Sequence, residues 1–426
     1  MEWVKFLHEV LDAGLANSES GAHNGVGIAP CLHADQSEKC SIEAAHRIAD
    51  DDRLGREVFA SPNLLRHGRS NGAGSYPACC PHSRSFGGCS KSVGELKPTG
   101  IPDAHLATIS FPCTDLSAAG GKKGIRSGES AAFWDACDLI EGMGDRMPRL
   151  LMLENVAGLL RHHGGTHLQA ALDRLQEMGY AFDLLLLDAA FFVPQSRPRL
   201  FIVADRQPCG SGALPDISAL RPPAITSFMA DHADLRWDPF DTPAPPARQI
   251  KLRDVLRDPP PRSEEWWSEQ RTDYLLTQMR LDARQLVEDA SERSTYSYFP
   301  AFRRMREWPD QVTRSTAEVR TDGLAGCLRT PKGGSARQIV VRAGRGTISV
   351  RHMSPAEYAT LMGASDFRLD PRASVTDALF GFADAVCVPA IRWIRDHQLE
   401  PRLCRPAAAG PRKALSVRTS RSLSRV

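Results

Sequence analysis

Between residues 105 and 205, short apolar runs alternate with helical stretches, and this alternation constrains the fold more than any other feature. The runs are HLATISF (105–111), RLLMLEN (149–155), FDLLLLD (182–188) and RLFIVAD (199–205). Each is short enough for a strand and apolar on both faces, as a strand covered by helices on two sides requires. Residues 130–143 read as a helix. HLQAALDRLQEMGY (167–180) reads as an amphipathic helix closed by Gly179. The expectation is an α/β fold, a mostly parallel, doubly wound Rossmann-like sheet, whose N-terminal strands are not recognisable in the sequence.

The rest of the chain has a different character. Residues 1–15 suggest a helix, with Val4, Leu7, Val10, Leu11 and Leu15 roughly on one face. Residues 16–91 are rich in Ser, Gly, His, Arg and Cys and hold no run that alternates like a strand. They have the look of a coding frame read out of register. Residues 206–325 are rich in Pro, Arg, Asp and Trp, with weak periodicity. RHMSPAEYATLMG (351–363) returns to helix, with Ser354 and Glu357 in capping-box positions. A last helix falls near 387–398. The reading divides the chain into an atypical segment at 1–91, a core at 92–207, a smaller irregular domain at 208–345, a segment at 346–400 that returns to the core, and a basic, disordered tail at 401–426.

A net charge of +2 gives no overall attraction to a polyanion, so nucleic-acid binding needs a local basic surface. No run of about 18 uncharged apolar residues is present. The eleven cysteines follow no secreted disulfide pattern, and a reduced, cytoplasmic setting for a monomer is the simplest expectation. Cys79, Cys80, His82 and Cys89 lack the Cys-x2-Cys spacing of a zinc site, so no metal is expected.

Three elements carry chemistry. Phe111-Pro112-Cys113 follows a strand, where doubly wound folds place their ligands; Cys113 is a nucleophile or a small core residue. Glu154-Asn155-Val156 ends the next run, and Glu154 either shares that sheet edge with Cys113 or caps a loop. Gln195-Ser196-Arg197-Pro198-Arg199 lies between two strands, and its alternating arginines either bind an anionic or carbonyl-bearing substrate or lie in solvent.

In this order the three elements resemble the central signature of the DNA (cytosine-5) methyltransferases. The flanking segments LENVAGLLRHHGG, FVPQSRPRLFIVA, GCLRTPKGGSARQIVV, RHMSPAEYATLMGASDF and GFADAVCVP look like a bacterial, restriction–modification branch of that family. The resemblance covers about residues 94–400. It implies Cys113 as the nucleophile at cytosine C6, Glu154 at N3 and Arg197 at O2. Pro112, Asn155, Gln195 and Arg199 would support them, Asn155 by ordering the turn behind Glu154. The base would be flipped out of the duplex.

The resemblance also implies double-stranded DNA as substrate, a cognate restriction endonuclease as partner, and the 208–345 domain as the target-recognition domain. Its candidate DNA contacts are Arg303, Arg304, Arg306, Arg329, Lys332 and Arg337. S-adenosyl-L-methionine is the implied cofactor, with Pro112, Phe382, Asp384 and Ala385 on its side of the site. The family's glycine-rich turn, about seventy residues before Pro-Cys, has no counterpart in DQSEKCSIEAAHRIAD (35–50), and Ala383 stands where a glycine is commoner. Two hypotheses follow: an active enzyme, or a remnant without a cofactor pocket that at most binds DNA.

Overall fold

A computed structural model describes residues 58–60, 96–101, 103–111, 131–208, 210, 212–307, 311–329, 337–369 and 372–404. The helix expected at 1–15, Pro112, Cys113, Lys332, and the tail after Cys404 lie outside the described residues.

The first sheet contains β1 (Val58–Ala60), β2 (Leu106–Ser110), β3 (Leu150–Val156), β4 (Ala181–Asp188) and β5 (Pro198–Asp205), in the order β1-β2-β3-β5-β4. β1 pairs with β2, and β2 with β3, in parallel; β5 runs antiparallel to both β3 and β4. Four strands therefore share one direction, and β5 is reversed between two of them. β1 corrects the expectation of no strand before residue 92: three residues are too few to show a period of two.

Alternation along each strand builds two cores. Leu151 and Leu153 face one side with α1 (Ala131–Glu141), α2 (Thr166–Glu177) and α3 (Pro223–Asp231), through Phe133, Leu172 and Phe228 among others. Leu150 and Met152 face the other side, covered by Ile391 and Trp393 of a late helix, Val388–Ile394. Both faces are dry, which is why each strand reads as continuously apolar. Gly179 ends α2 at φ 90°, a conformation that costs glycine nothing. α3 and Trp237 pack into this first core, so the packing of the larger unit runs past the boundary expected at 207.

The expectation of an irregular second module needs correction. After α4 (Leu252–Val255), α5 (Glu269–Thr277) and α6 (Leu281–Ser291) comes a fully antiparallel sheet of β6 (Ser297–Glu307), β7 (Thr313–Val319), β8 (Ile339–Gly344) and β9 (Thr347–His352), in the order β7-β6-β8-β9. Leu275, Val287, Phe299, Val341 and Val350 form its core. Arginines on β6 and β7 mask the alternation that would reveal these strands. The boundary expected at 345 falls in the tight turn between β8 and β9.

α7 (Pro355–Leu361) starts with the expected capping box: Ser354 N donates to Glu357 Oε2 at 2.7 Å, and Glu357 N to Ser354 Oγ at 3.3 Å. Then come α8 (Val375–Asp384), α9 (Val388–Ile394) and, after a π-helical turn, α10 (Glu400–Cys404). Among the described residues no helix is long and apolar enough to cross a membrane.

Candidate active site

The ends of β2, β3 and β5 converge on one edge of the first sheet. Ser110 pairs in register with Glu154, and Glu154 lies opposite Phe201, two residues along from Arg199. Residues in register or two apart share a face. Ser110, Glu154 and Arg199 accordingly touch: Ser110 Oγ donates to Glu154 Oε2 at 2.7 Å, and Arg199 Nε lies 2.8 Å from Glu154 Oε1. The Glu154 side chain is 12% exposed and that of Arg199 13%, so the pair sits at the edge and within reach of a ligand.

Asn155 points to the opposite face and is buried. Its Nδ2 donates to the Phe111 carbonyl at 2.7 Å, while Val156 N donates to its Oδ1 at 2.8 Å. It therefore does more than order the turn behind Glu154. It ties β3 to the residue two before Cys113.

The two motif arginines divide their work in a way the sequence did not suggest. Arg197 is 3% exposed. Its guanidinium donates to the main-chain carbonyls of Leu328 (2.9 Å), Ala383 (2.8 Å) and Ala385 (2.6 Å). Burial, and then the Arg199 charge, pull it below the usual arginine range. Arg197 is thus committed to the protein's own backbone, and the guanidinium beside Glu154 belongs to Arg199. Asp188 sets the start of this segment, accepting from Arg197 N at 2.7 Å and Ala190 N at 3.0 Å. Gln195 is fully buried; it donates to the Leu361 carbonyl at 2.7 Å and accepts from Leu328 N at 3.2 Å, which locks the loop to the C-terminal half.

Sequence reasoning missed Ser110, Asp188 and Cys327. Cys327 Sγ lies 3.4 Å from Arg197 Nη1 and 4.0 Å from Arg199 Nη2. Burial raises its thiol, but the charges of Arg197, Arg199 and Arg329 outweigh that and leave it below the ordinary cysteine value. By contrast, burial pushes Cys137 and Cys387 up to about 12. Only Ser110 carried any signal, by standing at a strand end before Phe-Pro-Cys.

Of the residues expected on the cofactor side, Phe382, Asp384 and Ala385 are described. Phe382 is 2% exposed and packs on Phe367 with ring centroids 5.8 Å apart. The Ala385 carbonyl is taken by Arg197. Asp384 is exposed at the end of α8. Of the candidate DNA contacts, Arg304 and Arg306 both reach Glu318 on β7 (3.8 Å for Arg304), and Arg303 donates to Gln278 Oε1 at 2.9 Å. Arg329 is exposed and Arg337 half-buried.

A family model described as C-5 cytosine-specific DNA methylase matches residues 88–399. The orphan methyltransferase M.SPRI of Bacillus phage SPR is 33% identical over 116 residues, 27% of this chain and 26% of that protein. The type II methyltransferase M.HaeII of Haemophilus aegyptius is 28% identical over 152 residues, 35% of this chain and 46% of that protein. The matched stretches thus span about a quarter to a half of these relatives. The crystal structure of S. pombe Dnmt2 methyltransferase aligns at a TM-score of 0.43 with 14% identity, covering 73% of this chain and 83% of that one. With some three quarters of its length matched by the family model, the chain belongs to the C-5 cytosine-specific DNA methylase family.

Proposed function

We propose that this chain methylates C5 of a cytosine turned out of duplex DNA, with Cys113 as nucleophile. The observation that carries the reading is the Glu154–Arg199 pair at the sheet edge, 2.8 Å apart, with Asn155 holding the Phe111 carbonyl beside it. C5 of cytosine is too weak a nucleophile to accept a methyl group unaided. A thiolate adding to C6 breaks the ring's conjugation and leaves C5 as an enamine carbon; once C5 carries the methyl group, loss of its proton to water expels the thiolate and restores the ring. Glu154 faces N3, where a proton makes that addition easier. Arg199, rather than Arg197, faces O2, because its guanidinium is the one beside Glu154. Arg197 and Gln195 position the loop through main-chain bonds. The methyl donor that the family implies is S-adenosyl-L-methionine, which supplies an electrophilic methyl group when bound. Of the residues expected on its side, the Phe382 ring is buried, the Ala385 carbonyl accepts from Arg197, and the Asp384 side chain is exposed, where a ligand can reach it.

A duplex carrying 5-fluorocytosine, incubated with the full chain and the donor, tests the reading. The expected result is a covalent protein–DNA adduct that Cys113→Ser abolishes. Equal adduct formation by the serine variant removes Cys113 from the role.

A second reading, a chain that binds DNA without transferring a methyl group, has one observation in its favour: the Phe382 ring is spent in the core. Calorimetric titration with the donor separates the two. Micromolar binding supports transfer, and no binding supports the second reading. A cognate endonuclease as partner, and a monomer, are part of the first.

A further inference from the structure

A second basic cluster lies on the small sheet, built from residues that the reaction above does not use. Arg271 Nη2 donates to His352 Nε2 at 3.2 Å. Arginine only donates, so the ring proton of neutral His352 is on Nδ1. That atom is buried and makes no well-formed hydrogen bond among the described residues. Trp267 closes the group: its ring meets His352 edge-on at 4.9 Å, Arg271 lies 3.9 Å over it, and Arg303 lies at 5.5 Å. Arg337, just before β8, has a buried Nε that is also without a partner among the described residues.

The charged groups acting on His352 are Arg337, Arg271 and Arg303, and the Gln338 carbonyl opposes them. Burial first, and then these charges, hold the imidazole down to about 4. Arg271 is itself pulled down by burial and then by Arg303 and Arg337. Nearby arginines show the ordinary arrangement: Arg304 and Arg306 share Glu318, Arg280 faces Asp282 and Arg284 faces Glu288. Among the described residues, Arg271, Arg303 and Arg337 have no carboxylate in ion-pair reach. Two guanidiniums over one indole ring, with the Arg337 charge beside them and the His352 N–H turned to the Gln338 carbonyl, have the chemistry to hold an anion with several acceptor oxygens.

We propose that Arg271, Arg303, Arg337 and His352, arranged around Trp267, form a clamp for one backbone phosphodiester of duplex DNA. The clamp rests on the reading that this chain binds duplex DNA, and it adds Arg271, His352 and Trp267 to the interface. It positions the duplex on the small sheet and reads no base.

The test measures affinity of the full chain for a random-sequence duplex across a salt series. R271Q/R337Q is compared with R280Q/R284Q, which removes the same charge from ion-paired arginines nearby. Arg271 is exposed, so R271E serves as a further variant, with its fold checked by circular dichroism and melting temperature. The cluster variants should bind at least tenfold more weakly at about 0.1 M salt, with the log–log salt slope flattened by about 1 to 2. R280Q/R284Q should stay within about twofold of the parent. Inorganic phosphate, followed by Trp267 fluorescence against a W267F control, should be displaced by the duplex. Cluster variants that match the R280Q/R284Q slope and affinity overturn the clamp while leaving DNA binding intact. Phosphate binding that the duplex does not displace overturns the phosphodiester assignment. No duplex affinity in the parent chain overturns both the clamp and the DNA-binding reading.

Discussion

Arg199 Nε lies 2.8 Å from Glu154 Oε1, while Arg197, two residues earlier, turns its guanidinium onto the carbonyls of Leu328, Ala383 and Ala385. Two arginines that look equivalent in sequence therefore fail in different ways when removed. Arg199→Ala should lower the methyl-transfer rate by about a hundredfold, the scale of losing one charge-stabilising donor, with little change in melting temperature. Arg197→Ala strips partners from buried carbonyls and should cost roughly 3 kcal/mol or more of stability. Paired kinetics and denaturant titration check the split; the reverse pattern would return the substrate role to Arg197.

The Asn155–Phe111 bond predicts a defect at a distance. Asn155→Ala leaves a buried carbonyl unpaired, at roughly 1–3 kcal/mol, and frees the residue two before Cys113. The rate of adduct formation on 5-fluorocytosine DNA should fall more than tenfold while duplex affinity stays constant. An unchanged rate would mean that the Asn155–Phe111 bond has no bearing on adduct formation.

Glu357 makes stability depend on acid. It is buried, which raises its carboxyl, but Arg351 and the Ser354 and Arg257 amides outweigh burial and set it below the ordinary value. A depressed carboxylate contributes stability that is fully present above its unfolded value, about 4.3, and is lost as pH falls through the lower folded one. Unfolding free energy should therefore drop below about pH 4.3. Glu357→Ala, which strands the buried Arg351 guanidinium, should cost roughly 3–5 kcal/mol at neutral pH. A parallel acid profile in Glu357→Gln would assign the acid sensitivity to other groups.

Cys327 should be alkylated before Cys137 and Cys387. Its thiol is lowered by the motif arginines and only partly buried, whereas theirs are buried and raised to about 12. Thiolate fraction controls the rate, so iodoacetamide labelling near pH 7.5 read by peptide mass should show that order. Reaction of Cys387 ahead of Cys327 would contradict the charge argument.

The α/β class, the four main strands of the first sheet, the helices between them, the Gly179 stop and the Ser354–Glu357 cap were legible from local pattern alone. These follow from local rules, namely side-chain period, capping geometry and the conformational freedom of glycine. Local pattern also located Glu154 at the end of a strand. The reversal of β5 between β3 and β4, the register of Ser110 with Glu154, and the reach of Arg199 rather than Arg197 to that carboxylate emerge only on packing. Register and strand order depend on which segments meet across the sheet, and one residue of slip reverses every face. The small sheet was hidden for a related reason: β6 carries arginines whose partners, Glu318 on β7 and Gln278 after α5, lie on other segments, so local hydropathy does not reveal which positions are satisfied.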